Sequence, residues 1–278
     1  MRVLVAGSGS SGNALVVETP AARILVDAGI APRLLAARLA ALGSHLFPRS
    51  VDAIVPSHVH DDHFAHAEPL ARALRAPVFL HRGIVAPRLR DRYATSHLET
   101  GAAVAVGDVL MECCAVPHDA DQIALRLTAG GVTFGVATDL GHVPGSLLAF
   151  LGGCDALLLE ANHEPFLLRE SAYPESLKRR VAGPLGHLSN EQVADVLARL
   201  RGSSVRSVYL AHMSRTNNEA SLALAAARAA RPDLDVHIVP HGRTVTLDVV
   251  VAHGPRSGAV PRRPGQLALP LRAGEAEG

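Results

Sequence analysis

The sequence predicts an α/β protein of two sheets with helices packed outside them. Three observations carry this expectation. Short β-type runs outnumber helical stripes, the helical stripes fall irregularly among them instead of alternating one for one, and 48% of the 278 residues are hydrophobic, enough to bury a large core.

In chain order, residues 2–6, 14–18 and 23–27 are apolar β-type runs, divided by Gly7-Ser8-Gly9-Ser10-Ser11-Gly12 and by Thr19-Pro20. Pro32 opens a helix whose stripe is Leu35, Leu39 and Leu42, and Gly43 stops it. Val51–Val55 reads as a buried strand, followed by a helix from about Glu68 to Leu74 and a strand at Val78–Leu80. Four β-type runs come next, at Ala102–Val106, Val109–Val116, Ile123–Thr128 and Val132–Ala137. Ala156–Leu159, Val205–Leu210 and Val236–Val239 are further buried strands, with helices expected over Ser189–Leu200 and about 218–230. From about Gly254 the chain turns Pro-, Arg- and Gly-rich, the composition of a disordered tail.

A formal net charge of +1 gives no global field that would advertise a nucleic-acid partner, and Lys178 is the sole lysine among 27 basic residues. Cys113, Cys114 and Cys154 sit in apolar settings without paired spacing, as core thiols in a reducing cytosol would. The opening apolar stretch is too short for a signal peptide, and no run approaches the roughly 18 apolar residues of a membrane span. A soluble cytoplasmic protein, with no membrane partner, is expected.

Directly after the Val51–Val55 strand the chain reads His58-Val59-His60-Asp61-Asp62-His63. Imidazole and carboxylate are the ligands that zinc, manganese and iron take. In an extended stretch His58 and His60 point the same way, while Asp62 and His63 must come from the turn that follows. Four ligand-type side chains in one loop imply two metal ions sharing a neighbourhood. Further donors stand where other apolar strands end: His118 after Val116-Pro117, Asp139 after Ala137-Thr138, and His212 after Leu210-Ala211.

This order of ligands resembles that of the metallo-β-lactamase fold hydrolases. The resemblance runs from the first strand to about residue 248. It implies an αββα sandwich with a dinuclear site at one edge, in a hydrolase domain over residues 1–252 and a tail over 253–278. His58, His60 and His118 would then hold one divalent cation (zinc or manganese, with iron possible). Asp62, His63 and His212 would hold the other, Asp139 would bridge both, and Asp62 would also orient the attacking water.

The second half points to a branch of that family. Gly186-His187-Leu188-Ser189-Asn190 opens a helix with the capping-box spacing Ser189/Gln192. Free amides beside His187 would make a phosphate site, with Ser189 and Asn190 among the contacts and His187 as a proton donor to the leaving group or a contact to a phosphoryl oxygen. The helix start and the His212-Met213-Ser214-Arg215 segment are similar to those of tRNA 3′-processing nucleases. The likeness to the YycJ/WalJ-like branch is closer, carried by Ser8–Asn13, Asp27-Ala28-Gly29, Pro117-His118-Asp119-Ala120 and Glu160-Ala161-Asn162-His163. It implies a DNA exonuclease degrading from a 5′ end, with a part in mismatch repair. His142 stands where a tyrosine is expected and receives no role.

Lys178, Arg179 and Arg180 are candidates for the nucleic-acid backbone, and Ser214, Arg215 and Asn217 for the same groove. With no tryptophan and only three tyrosines, the chain lacks a stacking platform, which suits backbone gripping. RNA-processing enzymes with a large inserted domain are disfavoured, because only about 70 residues separate Asp139 from His212. A small-molecule hydrolase of the same fold, cleaving a thioester, lactone or cyclic phosphodiester, would show a closed pocket. A non-catalytic regulator would bind metal without turnover. In the tail, Gln266-Leu267-Ala268-Leu269-Pro270-Leu271 resembles the motif by which bacterial repair proteins dock on the sliding clamp. Gln266 would supply a hydrogen-bonding head, Leu267, Leu269 and Leu271 the apolar contacts, and Pro270 a restricted chain.

Overall fold

The computed structural model describes residues 1–86, Leu89, 95–249 and the backbone of 267–268. The first sheet takes strands β1 (Arg2–Gly7), β2 (Ala14–Glu18), β3 (Arg23–Val26), β4 (Ala53–Val55), β5 (Val78–His81) and β6 (Thr95–Leu98), with β14 (Val245–Leu247) at its edge in the order β14-β1-β2-β3-β4-β5-β6. The second is built from β7 (Ala103–Val106), β8 (Val109–Val116), β9 (Gln122–Ala129), β10 (Val132–Ala137), β11 (Ala156–Glu160), β12 (Ser207–Ala211) and β13 (Asp235–Ile238), in reverse order across the sheet. Leu267–Ala268 adds a two-residue strand parallel to β7. The tail expected from about residue 253, and its clamp-type hexapeptide, otherwise lie outside the described residues.

Alternation of side chains along the strands explains the layers. Val3, Val5, Ile24 and Val26 from one sheet meet Met111, Leu125, Phe134 and Leu158 from the other in the core between the sheets. Their neighbours Leu4, Val16 and Leu25 face outward under Leu35, Leu39 and Leu70 of helices α1 (Pro32–Ala41) and α3 (Ala67–Leu74). On the far side Leu157, Leu159, Val208 and Leu210 are covered by Leu147, Val193, Val196 and Ala227, from α4 (Gly145–Gly152), α7 (Asn190–Arg199) and α8 (Ala220–Ala230). Both sheets are therefore buried on both faces, which is why so many strands read as unbroken apolar runs. This is the αββα sandwich.

Strands β10, β11, β12 and β13 run parallel, so each link between them needs a crossover, supplied by α4, by α5 (Pro165–Glu170) through α7, and by α8. The three cysteines are free and buried; burial pushes the Cys113 and Cys154 thiols up to about 12, as core thiols require. Among the described residues no helix is long and apolar enough to cross a membrane.

Several elements differ from the sequence expectation. The strand expected from Val51 begins at Ala53, because Asp52 instead accepts the Arg23 amide at its side chain. Strand β6, strand β14 and helices α4, α5 and α6 (Glu175–Val181) had no distinct periodicity to announce them, being four to eight residues or shorter and defined by what they pack against. Lys178, Arg179 and Arg180 occupy the last turn of α6, favourable for cations at a helix C-terminus.

Candidate metal centre

The side chains of interest follow the C-terminal ends of strands that run in one direction. β4 delivers Ser57 and His58, β8 His118, β10 Asp139 and β12 His212, while the one-turn helix α2 (Asp61–Phe64) carries Asp62 and His63. Asp27 after β3 and Glu160 at the end of β11 join them. Asp27, Asp139 and His212 all hold positive φ, at 61°, 58° and 52°. Few residues other than glycine adopt this region, at a cost on the order of 1 kcal/mol or more each, and such strain gathers at functional sites. Hydrogen bonds hold these turns: Ser57 N–H donates to Asp27 Oδ1 at 2.8 Å and His212 N–H to Ser8 Oγ at 2.8 Å. Gly29 is required where the β3 exit crosses the ligand loop, since a Cβ there would lie 1.7 Å from the Asp62 carbonyl oxygen.

The donor atoms converge. His58, His60 and His118 offer ligand atoms within 4.8 Å of one another, as do Asp62, His63 and His212, and His58, His63 and Asp139. His118 Nε2 faces His60 Nδ1 at 3.3 Å. His58 Nε2, His212 Nε2 and Asp139 Oδ2 are buried without a well-aligned hydrogen bond. Buried polar atoms nearly always find partners, so this concentration of unsatisfied ligand atoms in one place fits divalent cations. The outward nitrogens of three of the rings are already engaged: His58 Nδ1 with Ser57 Oγ at 3.0 Å, His63 Nδ1 with Asp27 Oδ2 at 2.8 Å, and His212 Nδ1 with Glu160 Oε1 at 3.0 Å. Such partners fix the tautomer and leave the inward nitrogen as the ligand atom.

Charge follows the same geometry. Burial, helped by His63, pushes His58 down to about 3, so its imidazole stays neutral. Burial opposes protonation of His63 too, but the Asp27 and Asp139 carboxylates outweigh it and pull it up to about 10. His212 is likewise raised against its burial by Asp139, Asp62 and Glu160. In Glu160, burial raises the carboxyl, yet His187 and His212 bring it down to about 2.

His187, expected beside the metals, lies next to Glu160, Asp139 and His118. Its Nδ1 is 2.8 Å from Glu160 Oε1 and 3.5 Å from Asp139 Oδ1, and its ring centroid is 5.7 Å from that of His118. Its pKa is raised, burial being outweighed by Glu160. Gly141 allows the loop before it to pass, because a Cβ would meet the Pro184 carbonyl at 2.0 Å.

The neighbouring helix start differs from the expectation. Ser189 caps α7 in a capping box with Gln192, as its spacing implied, but the amides there are already used. Leu188 N–H donates to Glu160, Ser189 N–H to Gln192 Oε1 and Asn190 N–H to the His163 carbonyl. Ser189 and Asn190 are buried, with the Asn190 amide spent on Glu164 and Asn218. These two residues thus knit neighbouring loops together at the helix start. Asn217 is buried as well, and its backbone joins Glu164 and Ser214. Ser214 is half-buried and Arg215 exposed. Lys178 is tied to the Arg169 carbonyl and to Glu175, Arg179 is exposed, and Arg180 reaches Asp119 beside the ligands. An open cleft of about 530 Å³, lined by His81, Pro117, His118, Asp119, Asp121 and Gln122 among others, adjoins the cluster.

Sequence reasoning assigned no role to Asp27, Glu160 or Asn13. Glu160 obeys the strand-end rule that found Asp139, an acid closing an apolar run, and that signal was available. Asn13 packs on the ligand loop, its Nδ2 2.8 Å from His63 Nε2.

The model of the beta-lactamase superfamily domain matches residues 22–213. The exodeoxyribonuclease WalJ of Streptococcus pneumoniae is 32% identical over 79% of this chain and 84% of the relative, and the exodeoxyribonuclease YycJ of Bacillus anthracis 31% over the same shares. Among solved structures, the metallo-beta-lactamase fold protein YhfI of Bacillus subtilis superposes with a TM-score of 0.66 at 17% identity, covering 88% of this chain and 98% of that one. A match of that extent to the family model, together with relatives of that identity and coverage, establishes that the chain belongs to the beta-lactamase superfamily and is a relative of the WalJ and YycJ exodeoxyribonucleases within it.

Proposed function

We propose that this chain is a metal-dependent DNA exonuclease, working from 5′ to 3′ in a repair pathway such as mismatch repair, in the cytoplasm. The observation that supports it most is the 32% identity to an exodeoxyribonuclease over 79% of the chain, in a protein whose strand ends gather a full set of ligand side chains. His58, His60 and His118 would hold one cation, Asp62, His63 and His212 the other, and Asp139 would touch both. Zinc and manganese suit this donor set, and iron is the further option. Bound there, divalent cations would supply an activated water and offset the charge that develops on the phosphoryl group.

The protein's own groups do the rest. Asp27 and Glu160 hold two of the imidazoles in the tautomer that ligation needs. Asp62, 24% exposed, is the ligand carboxylate open to an incoming water. His187 keeps a proton because Glu160 faces its Nδ1, and it sits where it can serve the leaving oxygen. The cleft beside His118 is open, which suits a polymer better than the closed pocket of a small-molecule hydrolase. Arg215 and the α6 basic residues line up with backbone gripping.

The test is incubation of metal-loaded protein with end-labelled duplex DNA, single-stranded DNA and RNA. Stepwise shortening of DNA from the 5′ end is the expected ladder. Cleavage of RNA alone, or of small diesters and thioesters without any nucleic acid, would replace the proposal with the RNA-processing or small-molecule reading.

A repair role also gives a use for the tail hexapeptide, which we include in the proposal as a sliding-clamp docking segment. A peptide covering residues 261–275 should bind the host's purified clamp, and a peptide carrying Gln266→Ala and Leu269→Ala should not. Equal binding, or none by either, removes the clamp from the picture while leaving the nuclease reading untouched.

A further inference from the structure

Three of the ring nitrogens that point away from the metal positions face protein oxygens already described. The fourth case is different. His60 turns Nδ1 towards His118 and the metal position, while its other nitrogen, Nε2, lies 3.2 Å from Asp119 Oδ1, an oxygen that is also 3.3 Å from His118 Nε2. The other oxygen of that carboxylate, Oδ2, accepts from Arg180 Nε at 2.9 Å and from Arg180 Nη2 at 2.8 Å. One carboxylate thus joins a ligand from the strand-β4 loop to a cation at the end of helix α6.

We propose that Asp119 is a positioning residue that holds Arg180 as a grip on a substrate phosphate and, through its second oxygen, orients His60. The proposal rests on the nuclease reading above and deepens it by singling out one arginine. Lys178 is spent on the Arg169 carbonyl and Glu175, and its side chain is 17% exposed. Arg180 is 63% exposed, and two of its guanidinium donors are anchored on Asp119. A guanidinium carries five N–H donors in a fixed fork, so the remaining ones are free to meet a phosphate. Anchoring a long side chain in advance reduces the rotamer entropy lost on binding. Asp119 also lines the cleft beside His118, which puts the fork at the mouth of the metal centre. Towards His60 the carboxylate stands as Asp27 does towards His63, and it reaches His118 Nε2 as well.

The test uses the full chain, purified and metal-loaded, with four variants: Asp119→Asn, Arg180→Ala, their double and Arg180→Lys. One readout is anisotropy of a labelled phosphorothioate oligonucleotide across salt concentrations; the other is Zn²⁺ affinity by competition with a chelating dye. Arg180→Ala should weaken oligonucleotide binding by roughly tenfold or more. It should lower the slope of log affinity against log salt by about one contact, and leave Zn²⁺ affinity alone. Arg180→Lys should keep the slope, because the charge remains, but bind less well. Asp119→Asn should weaken Zn²⁺ binding by about 10- to 100-fold while still reaching the wild-type number of ions at saturation. In that background the Arg180→Ala effect on oligonucleotide binding should nearly vanish.

An unchanged salt slope in Arg180→Ala, additive effects in the double variant, or unaltered Zn²⁺ affinity in Asp119→Asn would each overturn the proposal. Permanent loss of an ion in Asp119→Asn would also overturn it, by making that carboxylate a ligand. Wild-type protein that neither binds nor cleaves any nucleic acid sinks the nuclease reading, and this proposal with it. Wild-type protein that cleaves DNA while the variants fail the pattern sinks only the proposal.

Discussion

Glu160→Gln is a change of one atom at the most heavily used carboxylate in the site. Glu160 is fully buried, and its Oε2 accepts from the Leu140 and Leu188 amides at 2.8 and 3.1 Å. Its Oε1 faces His187 Nδ1 and His212 Nδ1 at 2.8 and 3.0 Å. A glutamine can keep the two backbone bonds with its carbonyl oxygen, but its NH₂ then confronts two imidazole N–H groups. Each ring must move its proton to Nε2, and an Nε2–H cannot ligate. Two charge-assisted bonds are lost at about 1.5–3 kcal/mol each, partly offset by relief of repulsion from Asp139. The variant should therefore be less stable by about 3 kcal/mol without metal and bind the cation at His212 about 10- to 100-fold more weakly. The sign with pH follows from a folded carboxyl held at about 2 against an ordinary 4.5: burial raises it, and the two histidines outweigh burial. The carboxyl's stabilisation is complete above about 4.5 and is lost as pH falls towards about 2, so the gap between wild type and variant should close in acid; because Glu160 also raises His187 and His212, the gap should narrow again as pH rises above the ordinary histidine range. Urea unfolding across pH, with dye-competition metal titrations at neutral pH, measures both quantities. Equal metal affinity in the two proteins would refute the tautomer argument.

Replacing Asp139 by Ala removes the carboxylate proposed to serve both ligand sets; bound metal should fall below two ions per chain and turnover should vanish, while circular dichroism stays native. His187→Ala should leave metal content unchanged and lower turnover by roughly 10²–10⁴-fold, the usual worth of a positioned acid; metal loss would place His187 among the ligands. Far from the site, burial raises the Glu18 carboxyl, but Ser44 and Arg23 outweigh it and its pKa is lowered. After allowance for solvent screening Glu18→Gln should cost about 1 kcal/mol near neutral pH, and the cost should disappear as pH falls through the folded pKa, as read from thermal melts. Chelation should lower the melting temperature without unfolding the chain, since the three apolar clusters hold the sheets without the ligands; re-added metal at 100 times its dissociation constant should return about 2.7 kcal/mol per site.

Much of this architecture can be read from the chain because the physics is local. An apolar strand followed by a ligand-type residue in its exit turn is a one-dimensional pattern, and it picks out His58, His118, Asp139 and His212. The groups that orient those ligands are harder to find. Asp27 meets His63 across 36 positions and Glu160 meets His212 across 52, and no spacing rule connects them. Ser189 shows the opposite case: its capping box is legible, yet whether the amides behind it are free depends on Glu160 and His163, supplied by another strand and loop. The short helix α6 was hidden by its seven residues, with none buried to make a stripe.

The buried carboxylates of the site explain how it can fold before any cation arrives. Asp27, Asp139 and Glu160 are nearly or wholly buried, and unpaired buried carboxylates would each cost several kcal/mol. Protons on the imidazoles of His63 and His212 provide the balancing charge, which is why both are raised despite complete burial. His58, pushed down by burial and by His63, is left neutral. The constellation thus divides its histidines by environment: His63 and His212 hold a proton that a cation must displace, while burial pushes His58 and His118 towards the neutral form. That division is set by where β3, β10 and β11 end, so the order of strands in the two sheets fixes the charge pattern of the centre.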